Sequence, residues 1–352
     1  MNFNRLLAKL PANHVQSEPW AEGAGRRSRW ARGLRHYVIG LAAIFYCAQA
    51  PAEKITIRIG YFPNVTHAQA IIGSHTTRMH QGWFEARLGP EVVLQWFAFN
   101  AGPSAMEAIF AGSIDLTYVG PNPALNAYVR SQGEEIRLLA GAALGGAALV
   151  VPSDGRITRA ADFRGRRIAT PQLGNTQDVA ARVWLKRQGF KITLTGGDVA
   201  VIPTANADQL PLFQQGKIDA VWTVEPWVSR LELEAGGKVW LEQSEAVTTL
   251  LVGRVAFLKN HRLIAEKFCR AHLELTNWLQ LHPAEAQGLV RAGLSAEAKR
   301  EIPAELIASA WRRLKFTDQI TAEQLQSLVA DAQLAGFMRN AIPLDQLFTF
   351  PQ

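Results

Sequence analysis

Short apolar runs, each followed by a turn and then by apolar residues at helical spacing, recur along the chain from residue 55 onward. Residues 55–61 alternate apolar and polar side chains, which is typical of a strand with one exposed face. Residues 92–99 and 114–119 have a similar character, and each run is followed by a proline near the start of a helical pattern. Three successive strand-to-helix turns predict a mainly parallel sheet with helices on its faces.

These signals stop at residues 138–151, which are apolar and glycine-rich, and then begin again. So many glycines disfavour a helix, so this stretch predicts buried extended chain that crosses to a second lobe. Residues 248–257 predict the return crossing. Between the crossings the pattern predicts strands 167–169, 199–202 and 218–224 and helices 176–188 and 207–214. The predicted lobes are residues 53–147 with 248–352, and residues 148–247.

Residues 112–118 and 216–222 share the pattern Gly-x-Ile-Asp-x-x-aromatic. Two similar lobes about a hundred residues apart would explain the repeat, although a chance match within one fold class would also produce it. Asp115 and Asp219 lie early in their strands, whereas ligands bind at the carboxyl ends of parallel strands. We therefore expect these aspartates to bond turn backbone and not to act as an acid pair.

The last hundred residues read as helices. Ile264, Phe268, Leu275 and Leu279 share one face of a predicted helix. Thr321 with Gln324 forms a capping box that starts a helix predicted to reach about residue 339. These helices are expected to pack on the first lobe, and no chemistry is assigned to them.

Composition places the chain among globular proteins, with 48% hydrophobic and 19% charged residues in 352. The formal charge of +7 is concentrated in residues 1–52, which hold seven Lys and Arg against two Asp and Glu. The remainder is nearly balanced, so nothing predicts binding to nucleic acid.

The amino-terminal 52 residues are predicted to be a secretory leader. Their basic excess precedes the apolar run 37–46, which is too short to span a bilayer. Ala50-Pro51-Ala52 is the preferred cleavage pattern, with a mature start at Glu53. An uncleaved anchor and a twin-arginine leader are alternatives, and lipid attachment at Cys47 is not expected. Removal of Cys47 would leave only Cys269, and therefore no internal disulfide.

The sequence lacks the zinc-protease, serine-hydrolase and phosphate-binding-loop motifs, and it has no dinucleotide fingerprint after a strand. His67, His75 and His80 lie close together in the sequence but have no acidic or cysteine partner, so they predict surface or helix-packing histidines. We therefore expect no metal site, no cofactor and no enzymatic activity.

Five turns, each at the carboxyl end of a predicted strand, carry the candidate binding chemistry. The richest is 170–177, where Asn175 or Thr176 can cap a helix and no acid occurs before Asp178. Free N–H groups and the helix dipole favour an anion there, although an ordinary capped strand-to-helix turn would look the same. The other turns are 64–66, 100–104, 120–122 and 225–227. Of the nearby aromatic residues, Tyr118 and Trp222 are expected in the core, whereas Phe62 and Trp227 are candidate walls of a cleft.

Together these turns predict one cleft for a small ligand with an oxyanion head and a short apolar body. The predicted ligand-binding residues are Phe62, Asn64, Thr66, Asn100, Gly102, Ser104, Gly120, Asn122, Thr170, Gln172, Asn175, Thr176, Glu225 and Trp227.

The same turns resemble a known family. The segments are residues 60–64 (Gly-Tyr-Phe-Pro-Asn), 99–104 (Phe-Asn-Ala-Gly-Pro-Ser), 118–123 (Tyr-Val-Gly-Pro-Asn-Pro), 169–176 (Ala-Thr-Pro-Gln-Leu-Gly-Asn-Thr) and 224–227 (Val-Glu-Pro-Trp). In this order they resemble the nitrate, sulfonate and taurine family of ABC-transporter substrate-binding proteins, above all its aliphatic-sulfonate branch and the related thiamine-pyrimidine-precursor domain. The likeness runs from about residue 55 to about residue 337.

The resemblance implies an α/β, two-lobed periplasmic binding protein fold of type II, with a mainly parallel sheet in each lobe and the ligand cleft between them. It implies a monomeric periplasmic receptor that delivers an aliphatic sulfonate or taurine to an inner-membrane permease and its ATPase. A binding protein or enzyme for a thiamine pyrimidine precursor is the alternative, and a cytoplasmic or membrane-anchored sensor is a third.

Two features depart from a simple anion receptor. The five turns contain no Arg or Lys, so a sulfonate would depend on neutral donors. Glu225 would repel an anion unless it faces a ligand amine or a protein base, and both possibilities stay open.

Overall fold

The structure is a computed structural model that describes residues 54–340 and 342–348. The predicted leader, its cleavage site and Cys47 lie outside the described residues. The strands are β1 (Ile55–Tyr61), β2 (Val92–Ala98), β3 (Leu116–Val119), β4 (Ile136–Gly145), β5 (Ala147–Pro152), β6 (Arg167–Thr170), β7 (Ala200–Pro203), β8 (Ala220–Val224), β9 (Gly237–Gln243), β10 (Val247–Arg254) and β11 (Leu314–Phe316).

The helices are α1 (Ala68–Arg78), α2 (Glu85–Leu88), α3 (Gly102–Phe110), α4 (Pro121–Arg130), α5 (Thr176–Arg187), α6 (Asn206–Gln214), α7 (Trp227–Ala235), α8 (Val255–Asn260), α9 (Arg262–Leu281), α10 (Pro283–Ala298), α11 (Ala304–Trp311) and α12 (Ala322–Ala335). Short 3-10 helices span Val65–His67, Ala160–Phe163 and Asp345–Phe348. In the part of the chain that the structure describes, no helix is both long enough and apolar enough to cross a membrane.

The strands form two sheets. Sheet A has the order β11–β4–β10–β3–β1–β2, and sheet B has the order β7–β6–β8–β5–β9. In each sheet a central strand, β1 or β6, pairs in parallel with two neighbours. The strands that enter from the other sheet, β10 and β5, run antiparallel. Both sheets are therefore mixed, with three parallel strands at one side of each.

Helices cover both faces of each sheet. The predicted apolar face of α9 is buried, and Phe268 stacks on Phe84 with 4.5 Å between ring centroids. Helices α9, α10 and α11 pack on one face of sheet A, whereas Leu325 and Val329 of α12 pack on the other. The terminal helices thus lie where the pattern predicted. We call sheet A with its helices lobe A, and sheet B with α5, α6 and α7 lobe B.

The repeat predicted around the two aspartates is confirmed in detail. The backbone N–H of Arg58 donates to Asp115 Oδ2 at 3.0 Å, and the N–H of Arg167 donates to Asp219 Oδ2 at 2.9 Å. In return, the aspartate N–H groups donate to the carbonyls of the same arginines at 2.8 and 2.9 Å. The two aspartates therefore anchor β3 beside β1 and β8 beside β6 in the same way, and the backbone that they bond belongs to strands and not, as expected, to turns.

Two crossings join the lobes. The first runs from β4 to β5 through Gly145 and Gly146, whose φ angles are +73° and +71°. A Cβ atom on Gly145 would lie 2.4 Å from the carbonyl oxygen of Arg313, so only glycine fits there. The second crossing lies between β9 and β10, in residues 244–246. The predicted residue boundaries of the lobes stay a prediction.

Two predicted boundaries were wrong. Residues 255–257 were predicted to be extended but begin α8, because β10 ends at Arg254. Helix α12 starts at its predicted capping box, where Thr321 and Gln324 bond reciprocally. It ends at Ala335 and not near residue 339, because Gly336 adopts a left-handed φ of +89° and closes the helix.

Candidate functional site

A small cavity lies where the starts of three helices meet. Its volume is about 20 Å³, which is room for about one water molecule. Gly102 is the first residue of α3, while Gly120 and Asn175 are the N-caps of α4 and α5. The lining residues are Phe62, Asn64, Thr66, His67, Gly102, Gly120, Pro123, Asn175, Thr176, Gln177, Val224 and Thr248. We call this space the inner cavity.

The helix starts at the inner cavity follow from local sequence. The Asn175 side chain accepts from the N–H of Asp178 at 2.8 Å, which confirms the predicted cap of α5. Helices α3 and α4 carry a proline in the first turn and have no side-chain cap. The Asn122 N–H of α4 donates to Thr176 Oγ1 at 3.4 Å, whereas the first N–H groups of α3 have no side-chain acceptor among the described residues. The positive ends of both helix dipoles lie at the cavity, which favours an anion.

His67 lines the inner cavity, so the prediction that it packs at a surface or along a helix was wrong. The 3-10 turn before α1 directs it inward, where its ring lies 4.4 Å from the ring of Phe62. The N–H of Phe62 donates to His67 Nδ1 at 3.4 Å. Burial lowers the pKa of His67 to about 3, so the imidazole is neutral at neutral pH. His75 is half-buried on α1 and His80 is exposed, as predicted.

A second and larger space of about 620 Å³, the outer cavity, lies beside the first. Its volume falls within the range of about 300–1,000 Å³ that is usual for small-molecule sites. It is lined by Pro63, Asn64, Ala98, Asn100, Asn206, Ala207, Leu210, Pro211, Pro226, Trp227, Arg230, Leu294, Glu297, Ala298, Arg300, Ile302 and Leu306. Most of these side chains are apolar, and the polar ones come from five separate segments of the chain.

Asn64 belongs to both cavities and joins the lobes. Trp227 Nε1 donates to Asn64 Oδ1 at 2.8 Å, and the N–H of Val65 donates to the carbonyl of Glu225 at 3.1 Å. Each of the five predicted turns supplies lining residues to one cavity or to both. The sequence-based expectation that these turns converge between the lobes is therefore confirmed.

Charged side chains reach the outer cavity from outside the five turns. Arg230 lies one turn along α7 from Trp227 and donates through Nε and Nη2 to Glu234, at 2.9 Å each. Arg300 follows α10 and is exposed, and its charge acts on the carboxylate of Glu234. Glu297, near the end of α10, accepts at Oε1 from Tyr61 Oη and Arg78 Nη1, both at 2.5 Å.

Several predicted residues line neither cavity. The Ser104 hydroxyl donates to the carbonyl of Ala101 at 2.8 Å, and the Thr170 hydroxyl donates to Asp178 at 3.0 Å. Gln172 lies away from both spaces. Asn122 faces a third cavity of about 30 Å³ on the other side of Thr176. Polar residues in a turn are equally suited to stabilising the turn itself, and these side chains do so or face elsewhere.

Glu225 also lies away from both cavities, and it faces a protein base. Its side chain is fully buried and accepts from Arg313 Nη1 at 2.9 Å and from the N–H and hydroxyl of Ser229. Burial raises the pKa of Glu225 above its ordinary value although the arginine opposes that shift. Arg313 also donates to Glu232 at 2.7 Å, so it ties the start of β11 in lobe A to α7 in lobe B.

Three known proteins illustrate what the chain is similar to. The putative aliphatic sulfonates-binding protein of Escherichia coli K12 is 28% identical over 202 residues, which are 56% of this chain and 58% of that relative. The taurine-binding periplasmic protein of the same organism is 25% identical over 241 residues, 66% of this chain and 69% of the relative. The chain thus spans less than two thirds of the first relative's length.

The solved structure of the alkanesulfonate-binding protein SsuA from Xanthomonas axonopodis pv. citri, bound to MOPS, aligns with a TM-score of 0.64 at 20% identity. The alignment covers 81% of this chain and 95% of that one. The fold is therefore the two-lobed α/β fold of periplasmic binding proteins. A family model described as NMT1-like matches residues 50–293. Since that match covers more than half of the chain, the chain belongs to the NMT1-like family.

Proposed function

We propose that this protein is the substrate-binding component of an ABC importer. It captures a small anionic solute, an aliphatic sulfonate or a taurine-like compound, in the periplasm and delivers it to an inner-membrane permease and its ATPase. The observation that carries this proposal is the meeting of five strand-to-helix turns, from both lobes, around two cavities that share Asn64. The sulfonate-binding and taurine-binding names of its relatives support the same role.

The two cavities differ in which part of a ligand they can hold. The helix starts around the inner cavity suit an oxyanion head, and the apolar walls of the outer cavity suit the ligand body. A sulfonate is larger than the single water molecule for which the inner cavity has room. Binding therefore requires the lobes, residues 53–147 with 248–352 and residues 148–247, to separate and close again. The crossings at Gly145–Gly146 and residues 244–246 are the natural hinges.

Calorimetry with the mature protein tests this function. The panel is nitrate, taurine, ethanesulfonate, butanesulfonate and a hydroxymethylpyrimidine. We expect saturable 1:1 binding of at least one sulfonate, weakened about ten-fold by Asn100→Ala, because the variant loses an amide that lines the outer cavity. Exposed Asn260→Ala is the matched control and leaves binding unchanged. Heat signals from none of the sulfonates would contradict the proposed ligand class.

The proposed location is tested separately. Cell fractionation and sequencing of the mature amino terminus should find the protein in the periplasm, as a monomer that begins at Glu53. A protein that stays in the cytoplasm, or that keeps residues 1–52 in the membrane, would favour the sensor hypothesis over the receptor.

A second candidate function has one specific observation in its favour. His67 is a neutral imidazole at the inner cavity. In an enzyme or receptor for a thiamine pyrimidine precursor, such a group can hydrogen-bond the pyrimidine ring of the ligand. This candidate predicts that the hydroxymethylpyrimidine binds more tightly than any sulfonate and that His67→Gln abolishes its binding. Turnover of the compound, followed by mass spectrometry, would separate an enzyme from a receptor.

A further inference from the structure

One wall of the outer cavity comes from the end of α10 and the start of α11, residues 294–306. This segment follows no strand of either sheet, so it is separate from the five turns. Beside apolar Leu294 and Leu306 it places an acidic residue, Glu297, and a basic residue, Arg300, at the cavity. The wall therefore presents both signs of charge to a bound ligand.

Half of the Glu297 carboxylate is occupied by the protein. Oε1 accepts both the Tyr61 hydroxyl and Arg78 Nη1, whereas Oε2 has no donor at hydrogen-bond distance among the described residues. The side chain is 20% exposed and lines the cavity. An ionised carboxylate accepts hydrogen bonds on both oxygens, so Oε2 is left for a donor on the ligand.

Arg300 is the complementary group. Arg230, which also lines the cavity, gives two of its donors to Glu234, whereas no hydrogen bond from Arg300 to a described residue is seen and its charge acts on Glu234 from farther away. Arg230 already binds Glu234, and the Arg300 charge can likewise attract an anionic ligand. A ligand with only a negative charge would leave Glu297 Oε2 without a donor.

We propose that Glu297 is a specificity-determining residue that accepts a hydrogen bond from an ammonium group of the ligand body, while the sulfonate of the same ligand lies at the inner cavity and Arg300 attracts its charge. The outer cavity then selects zwitterionic ammonium sulfonates with an apolar body over plain alkanesulfonates. This inference rests on the proposed function, because it assumes that the cavities bind a sulfonate. It adds a residue and a ligand feature that the five turns do not contain.

Three matched compounds test the inference by calorimetry. N-benzyltaurine carries an ammonium and a sulfonate. 4-Phenylbutane-1-sulfonate replaces the nitrogen by a methylene, and N-benzylpropylamine lacks the sulfonate. A hydrogen bond from a charged donor supports a preference of ten-fold or more, so we expect N-benzyltaurine to bind at least ten-fold more tightly than 4-phenylbutane-1-sulfonate. N-benzylpropylamine should bind more weakly than N-benzyltaurine.

Variants assign the preference to named groups. Glu297→Gln should reduce the ratio between the two sulfonates to less than about three-fold. Arg78→Gln breaks the same ion pair but leaves the carboxylate, so it should keep or raise the ratio, whereas a purely structural role would make both variants alike. Arg300→Gln should weaken both sulfonates by a similar factor. Exposed Lys299→Gln, which does not line the cavity, is the control.

The outcomes separate this inference from the proposed function. If 4-phenylbutane-1-sulfonate binds but the ratio is close to one, or if Glu297→Gln leaves the ratio unchanged, the role of Glu297 is overturned and the sulfonate receptor stands. If neither sulfonate binds, and the simpler sulfonates do not bind either, both proposals are overturned. A ten-fold ratio that Glu297→Gln removes and Arg78→Gln keeps supports the inference.

Discussion

The inner and outer cavities share Asn64 but differ in how they are built. The inner cavity is small and is formed by helix starts and short polar side chains in turns. The outer cavity is about thirty times larger in volume, mostly apolar, and draws its charges from side chains on α7 and α10 and just beyond α10. One space thus offers backbone groups to a charged ligand, and the other offers flexible charged side chains.

This difference bears on what each cavity can select. Backbone N–H groups at helix starts suit any small oxyanion, because their position depends little on side-chain identity. Glu297, Arg230 and Arg300 can change by substitution without disturbing a strand-to-helix turn. The inner cavity is therefore suited to small oxyanions in general, and the outer cavity is suited to distinguishing between ligands that carry such an oxyanion.

The largest expected effect concerns α7, which lines the outer cavity and which Arg313 ties to lobe A. Arg313→Ala leaves Glu225 buried with its base removed, so we expect the free energy of unfolding to fall by about 3–5 kcal/mol. Urea denaturation at pH 7 measures the change, with exposed Arg312→Ala as the control. Adding Glu225→Gln to Arg313→Ala should recover part of the loss. A fall in the free energy of unfolding of less than about 1 kcal/mol would show that the buried ion pair does not hold α7 in place.

The next effect belongs to the inner cavity and depends on pH. The pKa of His67 is lowered to about 3 in the folded chain, against about 6.5 in an unfolded one. Between these values the unfolded chain binds a proton that the folded chain does not, so stability falls as the pH falls. Between pH 7 and pH 5 the buried imidazole should lower the free energy of unfolding by about 2 kcal/mol.

His67→Asn should remove that share of the pH dependence, measured as the difference in urea unfolding between pH 7 and pH 5. Exposed His80→Gln is the control and should keep the wild-type dependence. An unchanged difference in His67→Asn would mean that the inner cavity hydrates or opens enough to protonate the ring.

A third effect tests how closely the lobes approach at the inner cavity. A Cβ atom on Gly120 would lie 2.5 Å from Thr176 Oγ1, which belongs to the other lobe. Gly120→Ala should therefore oppose closure and weaken binding of the best sulfonate about ten-fold by calorimetry. Adding Thr176→Ala removes the clashing atom and should restore part of the affinity. Equal affinity in wild type and Gly120→Ala would argue against tight closure.

The smallest effect separates the cavity end of α10 from the rest of that helix. Gly288 lies in α10, and a Cβ atom there would meet nothing within 4 Å. Gly288→Ala should raise the free energy of unfolding by about 0.5–1 kcal/mol, because alanine is the better helix former. Ligand affinity should not change. A change in affinity would extend the role of α10 in binding beyond Glu297.

The inner cavity was predictable because its signals are local. The Asn175 cap, the prolines that open α3 and α4, and the alternation in β1 each depend on residues a few positions apart. The aspartate repeat was predictable for the same reason. The order of strand, turn and helix then placed five turns at the carboxyl ends of strands, where a cleft forms.

The outer cavity was predictable only in part. Asn64, Asn100 and Trp227 were among the predicted residues, but Glu297 and Arg300 were not, since they lie on helices to which no chemistry was assigned. A charged residue near the end of a helix looks like an ordinary solvated side chain. His67 was misplaced because a 3-10 turn sets the direction of its ring, and short turns of this kind have weak sequence signals.

The sequence by itself determined the strands and helices, the repeat around the two aspartates and the chemistry of the turns. These follow from periodicity, caps and glycine or proline positions over a few residues. Only the tertiary structure decided which polar groups face a ligand and which hold the protein together. Glu225 shows the difference, since its partner Arg313 lies 88 residues away in the other lobe. Contacts at that separation depend on how whole sheets and helices pack, and no local pattern encodes them.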